Sequence, residues 1–182
     1  MINEEIIKAM KSAGCWNMFF GIESGNQELL DNIKKRTTLD LIRKGVALVK
    51  KYDMEIRGSF MIGLPGETPE MARKTIDLAI ELDPDYAQFS ITTPYPGTEL
   101  YTTFDKWGKL DKNFNEYHGW SPVFIPNGYK NMEELQGIHK EAFRRFYMRP
   151  RYFINRLKKI RTWNDVKRYI TGLRMVLGFT SS

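Results

Sequence analysis

The chain has 182 residues, 42% hydrophobic and 13% aromatic, with a net charge of +6. That composition supports one globular domain with a core of its own and excludes a disordered chain. The opening MINEEIIKAMK lacks the basic and apolar regions of a signal peptide, and no apolar run approaches the ~18 residues of a spanning helix, which points to the cytoplasm.

In chain order, apolar spacing predicts a helix over 2–13, a short aromatic strand over 18–22 and a short helix over 27–33 begun near Asn26. A longer helix over 38–52 carries Leu39, Ile42, Val46 and Val49 on one face, with Thr37 or Thr38 as its cap. A strand over 54–62, a helix over 68–82 and a strand over 86–92 follow. After Gly108 the pattern turns irregular, and 109–130 reads as a long ordered loop or lid. Helices are expected at 131–147, 150–161 and 163–178. The alternation of strand and helix predicts an α/β protein with a parallel sheet. The expected division is an α/β unit over 1–108, the lid over 109–130, and a basic helical extension over 131–182.

Charge follows that division. From Lys140 to the end there are twelve Lys or Arg against Glu141 and Asp165, about +10, which leaves about −4 for the rest. The lone Cys15 cannot form an intramolecular disulfide, and one thiol with His118 and His139 offers no zinc-ligand spacing, so no metal ligands are assigned.

Side-chain parity separates two faces of the sheet. Phe20, Ile22, Phe60, Ile62, Ala87, Phe89 and Ile91 form an apolar set. Gly21, Glu23, Ser59, Met61, Gln88, Ser90 and Thr92 fall on the other side. If helices cover the apolar set, Glu23, Ser59 and Thr92 stand at the strand C-termini, where parallel sheets and barrels build active sites. The turn Gly63-Leu64-Pro65-Gly66-Glu67-Thr68 joins the second strand to its helix. A glycine-proline turn at a helix N-terminus is expected to present free N–H groups to an anionic or hydroxyl-bearing ligand. Three parallel strands cannot close a barrel, however, and would leave unpaired backbone at their edges.

Four blocks, in order, carry a resemblance: Gly21 to Gly25, Lys34 to Thr37, Gly58 to Thr68 and Thr93 to Thr98. Together they resemble the second half of a radical S-adenosylmethionine (SAM) domain, closest to the cobalamin-binding branch of that family, over roughly residues 1–105. The resemblance implies a partial (β/α)6 barrel that holds a 4Fe-4S cluster and SAM, and radical chemistry such as methylation of an apolar substrate. It implies that Glu23 and Ser24 face the ribose hydroxyls and that Lys35, with Arg36 beside it, meets the SAM carboxylate. Ser59 would also face ribose, Met61 would pack on adenine and Gly63 would admit the backbone. The turn Tyr95-Pro96-Gly97-Thr98 would border the adenine. Each residue also has a structural reading: Glu23 paired with a lysine, Lys35 and Arg36 at a solvated helix end, Met61 in the core, Glu67 stabilising a helix dipole.

The family's three cluster cysteines, spaced CxxxCxxC, are not in this sequence, and one thiolate cannot replace three. The expectation is therefore the C-terminal part of a longer enzyme, inactive alone, whose partner is the missing N-terminal half of the barrel or a complementing chain. Cobalamin would come through an upstream domain. The alternative is a non-catalytic half-barrel that docks on a partner or membrane through its basic helices. In those helices Phe153, Leu157 and Ile160, and then Trp163, Val166, Ile170, Leu173 and Leu177, form stripes flanked by Lys and Arg. The stripes fit docking on the barrel or an anionic membrane. No nucleic-acid motif accompanies the charge.

Overall fold

The computed structural model describes residues 3–117 and 119–158, together with 162, 163, 167, 169 and 171. The expected helix over 163–178 lies almost wholly outside the described residues, as does Ile160. Helices α1 (Glu4–Ser12), α2 (Gln27–Asn32), α3 (Leu39–Lys51) and α4 (Pro69–Leu82) alternate with strands β1 (Asn17–Glu23), β2 (Glu55–Ile62) and β3 (Tyr86–Ile91). Asn3, Asn26, Thr38 and Thr68 cap the four helices, each side chain accepting a first-turn N–H.

The strands form one parallel sheet in the order β1-β2-β3. Its apolar face lies under the helices. Ile22, Ile56, Phe60, Ile62, Ala87, Phe89 and Ile91 share one core cluster with Val46 and Val49 of α3, Ala72 and Ile76 of α4, and Ile7 of α1. Parity therefore sorted the faces correctly, except at Thr92, which is buried beyond the end of β3 with its N–H donated to Ile62 O.

Two regions differ from the sequence reading. Residues 99–107 form helix α5 (Glu99–Trp107), capped by Thr98, and the expected lid contains a small antiparallel hairpin of β4 (Gly108–Leu110) and β5 (Phe124–Pro126). Neither strand of three residues is long enough to show a period. Helix α6 (Met132–Tyr147) is no separate extension in packing terms, because its Leu135, Ile138, Ala142 and Phe146 join the central core.

The two edges of the sheet differ. On β3 the Tyr147 hydroxyl donates to Ala87 O at 2.7 Å and accepts from Ala87 N at 3.1 Å. His139 Nε2 bonds Phe89 O at 2.8 Å, and Gly119 O accepts from Ile91 N at 2.9 Å. Side chains of α6 and the lid thus complete β3's outer ladder. On β1's outer edge, the one such bond among the described residues is Cys15 Sγ to Asn17 O.

Helix α7 (Pro150–Lys158) docks on the α4–β3 connection through polar side chains rather than through its apolar stripe. Arg149 bonds Asp83 at 2.6 Å and Ile80 O at 2.9 Å, Asn155 Nδ2 donates to Asp83, and Arg156 pairs with Asp85. Asp85 also accepts from Ile56 N. Tyr152 and Tyr86 flank the Arg156 guanidinium. Leu157 remains 66% exposed and Ile154 52%. Asp85, buried just before β3, and the mostly covered Asp83 at the end of α4 require cationic partners, and that requirement outweighs burial of the apolar stripe. Asp85→Ala is expected to cost about 3–5 kcal/mol in urea denaturation, because it strands Arg156 and the Ile56 amide. Leu157→Ala should stay within about 0.5 kcal/mol.

Candidate functional site

The polar face of the sheet opens toward the strand C-termini. Gly21 pairs in register with Ser59, which pairs with Gln88, and Met61 pairs with Ser90. Ser59, Met61 and Ser90 are half-buried and Gln88 is exposed. β1 ends in a bulge between Gly21 and Glu23, and Glu23 takes the left-handed conformation at φ 67°. The bulge lays the Glu23 side chain back over Gly21, where its Oε1 meets Lys35 Nζ at 2.9 Å. A Cβ on Gly21 would lie 2.6 Å from that oxygen and 3.0 Å from the ammonium. The glycine is therefore the floor of a cradle that holds a carboxylate and an ammonium side by side. Lys35 belongs to a loop in which Lys34 and Arg36 are both left-handed, and Lys34 pairs with Glu99 of α5 at 2.7 Å.

The 63–68 turn is closed from within. Glu67 N donates to Leu64 O at 2.9 Å with Gly66 at φ 80°, a type II turn that Pro65-Gly66 suits. The Glu67 side chain then folds back into the turn, fully buried. Its Oε1 accepts from Gly63 N at 2.5 Å and from the Tyr129 hydroxyl at 2.6 Å, while Oε2 has no partner. The N–H expected to await an anionic ligand is held by the chain's own carboxyl. Burial pushes that carboxyl up to about 7 against the hydrogen bonds that pull it down, and burial with the nearby carboxyl raises Tyr129 well above its usual range.

Of the residues singled out in the sequence, Glu23, Lys35, Ser59 and Met61 come together on the polar face. Ser24 does not. It is fully buried, with its Oγ accepting from Asn26 N at 3.1 Å and sharing a 3.3 Å bond with Thr75 of α4, because the bulge turns the next side chain inward. Arg36 is exposed. Gly63 has φ 82°, and the space its missing Cβ would fill faces Leu135 of α6 at 3.2 Å. Tyr95, Pro96 and Gly97 form an exposed turn, and the Tyr95 hydroxyl donates to Tyr117 O at 3.0 Å. Sequence reasoning missed Tyr129, which lies 62 residues from Glu67. It also left Gln88 and Ser90 unassigned, although their parity placed them on this face.

A parallel α/β sheet with an acid at the end of one strand and a Gly-Leu-Pro-Gly-Glu-Thr turn after the next has a family counterpart. The family model of the Radical SAM superfamily matches residues 1–79 of this chain. An uncharacterized methyltransferase of Pyrococcus horikoshii is 37% identical over 96% of this chain and 38% of its own length. An anaerobic magnesium-protoporphyrin IX monomethyl ester cyclase of Cereibacter sphaeroides is 30% identical over 83% of this chain and 24% of its own. The chain thus spans well under half the length of these relatives. The fold is shared with a radical S-adenosylmethionine methyltransferase of Kitasatospora setae solved with cobalamin and a 4Fe-4S cluster. That likeness has a TM-score of 0.56 at 16% identity, covering 83% of this chain and 35% of that one.

The residues present fit one of the family's groups and not another. A carboxylate, an ammonium, hydroxyls and Met61 on one open face suit a zwitterionic nucleoside such as SAM. An iron–sulfur cluster does not fit: Cys15 lies before the start of β1, at the opposite end from Glu23, and no group of three metal-ligating side chains occurs among the described residues. No helix among them is long and apolar enough to cross a membrane.

Glu67 links this site to pH. Its value of about 7 lies above the ordinary 4.5, so the fold favours the protonated form. This contribution is complete below the unfolded value and is lost as pH rises from there toward 7. Chemical denaturation across that window should show wild-type stability falling with a limiting slope of about 1.4 kcal/mol per pH unit. In Glu67→Gln that fall should be absent.

Proposed function

We propose that this chain supplies the nucleoside-binding part of a radical SAM enzyme of the methyltransferase type. The single observation that carries the reading is the Glu23–Lys35 pair cradled over Gly21 on the open polar face. In the free protein the two groups satisfy each other. With SAM bound, the Glu23 carboxylate would accept from the ribose hydroxyls and the Lys35 ammonium would meet the ligand's carboxylate, exchanging one charge-assisted contact for two. Ser59 and Met61 would line the ribose and adenine, with Tyr95, Pro96 and Gly97 at the rim. Arg36 would contribute long-range attraction, whereas Ser24 would act by pinning the bulge to α4.

SAM in this family supplies a deoxyadenosyl radical once a 4Fe-4S cluster reduces it. This chain's residues bind and orient the nucleoside and provide no cluster ligands. We therefore place those ligands on a separate chain segment whose strand pairs with the open edge of β1, extending the sheet toward a barrel. Cobalamin, if used, would be held there as well. The substrate we favour is apolar. The alternative, a non-catalytic half-barrel, is favoured only by the exposed Ile154 and Leu157 beside Arg151 on α7, a surface suited to an anionic membrane.

Titration with SAM, followed through backbone amide shifts, is expected to move signals of Glu23, Lys35, Ser59 and Met61. Glu23→Ala should weaken binding roughly tenfold or more, the usual worth of a hydrogen bond to a charged group. Shifts confined to other surfaces would overturn the assignment. Anaerobic reconstitution of the isolated chain should yield no stoichiometric iron or sulfide, and a full cluster would refute the ligand argument.

A further inference from the structure

The segment between α5 and α6 touches the Tyr95 turn, the end of β3 and the 63–68 turn. Near its middle, Tyr117 O accepts the Tyr95 hydroxyl and Gly119 O accepts Ile91 N at the end of β3. At its far end the chain returns along α5, where Asn127 N donates to Trp107 O at 2.9 Å. It then presses onto the 63–68 turn. Gly128 approaches so closely that a Cβ there would sit 2.3 Å from Glu67 O. The next residue delivers its hydroxyl to Glu67 Oε1, the same oxygen that holds the Gly63 amide.

Bond by bond, this arrangement is a relay. The Gly63 amide has one acceptor, that acceptor's orientation depends on the Tyr129 hydroxyl, and Tyr129 rides on a backbone turn closed by its own N–H to Pro126 O at 3.0 Å. A buried carboxyl with one satisfied oxygen is held in place by its partners rather than by solvent. We propose that Tyr129 is a positioning residue for the 63–68 turn: by bonding Glu67 it fixes the Gly63 amide, so that the 109–130 segment sets the shape of the turn where SAM is to bind. The ligand part of this rests on the function proposed above, and the relay itself does not. It implies that a ligand ordering the segment at Tyr95 and Tyr117 also tightens the turn at Gly63, and the reverse.

Tyr129→Phe keeps the ring and removes only the hydroxyl. Amide hydrogen exchange at Gly63 is expected to quicken roughly tenfold, the usual worth of one hydrogen bond, while β2 and β3 core amides keep their protection. Carbon-13 titration should find Glu67 higher than in wild type, since a bond that lowers it has gone. Glu134 and Arg73 are the other charges acting on Tyr129, and both remain in the variant. SAM affinity is expected to fall by a similar factor. Unchanged Gly63 exchange and Glu67 titration would overturn the relay. If both change while SAM affinity does not, the positioning claim fails and the nucleoside reading stands. If wild type takes up no SAM on the polar face while the relay responds, the nucleoside reading fails and the relay stands. Should the Phe variant not fold, Glu67→Gln, which keeps an acceptor, should retain Gly63 protection and Glu67→Ala should lose it; equal protection in both would overturn the relay.

Discussion

A parallel strand leaves a row of N–H and C=O groups on each side, and each row must find partners. On β3, Tyr147, His139 and Gly119 provide them, and to do so α6 must lie along that edge and the lid must cross its end. That one demand explains why α6 belongs to the core, why Phe89 is ringed by Phe60, Phe143 and Phe146, and why Gly119 lies against the end of β3. On β1 the one such partner among the described residues is Cys15 Sγ at Asn17 O. The sheet therefore has a finished side and an open side, and the open side lies next to the Glu23 cradle.

The second organising feature is an unusual place for a carboxyl. Glu67 stands at the start of α4, where an acid ordinarily sits in solvent and favours the helix dipole by about 0.3–1 kcal/mol. Here it turns inward, loses its solvation and gains the Gly63 amide and the Tyr129 hydroxyl. The turn that resembled an anion receptor is instead closed around an acid of its own. The polar groups left open to a ligand are then those of the neighbouring face, the side chains of β1, β2 and the Lys35 loop.

The basic C-terminal region teaches a related lesson about α7. Its periodicity offered an apolar stripe for docking on the barrel or on a membrane, yet the docked face carries Tyr152 and Arg156, with Arg149 just before the helix. Asp83 and Asp85, more than sixty residues earlier, impose that orientation, the first mostly covered and the second buried. Local pattern could not reveal it, because the deciding charges belong to another element.

What the sequence determined by itself follows from short-range rules. Alternation along β1, β2 and β3 sorted core from polar face, Asn26 and the Thr37-Thr38 pair marked helix starts, and the ordered motif blocks carried the resemblance to the family whose model matches residues 1–79. These signals are local because strand pleat, helix period and turn chemistry are local. Tertiary structure decided which polar groups meet. It paired Glu23 with Lys35 through a bulge, sent Ser24 into α4, set Leu135 against Gly63 and brought Tyr129 to Glu67. Each of these contacts joins residues whose separation along the chain has no periodic signature. They arise because a buried polar atom takes whichever partner the packing of whole elements delivers to it.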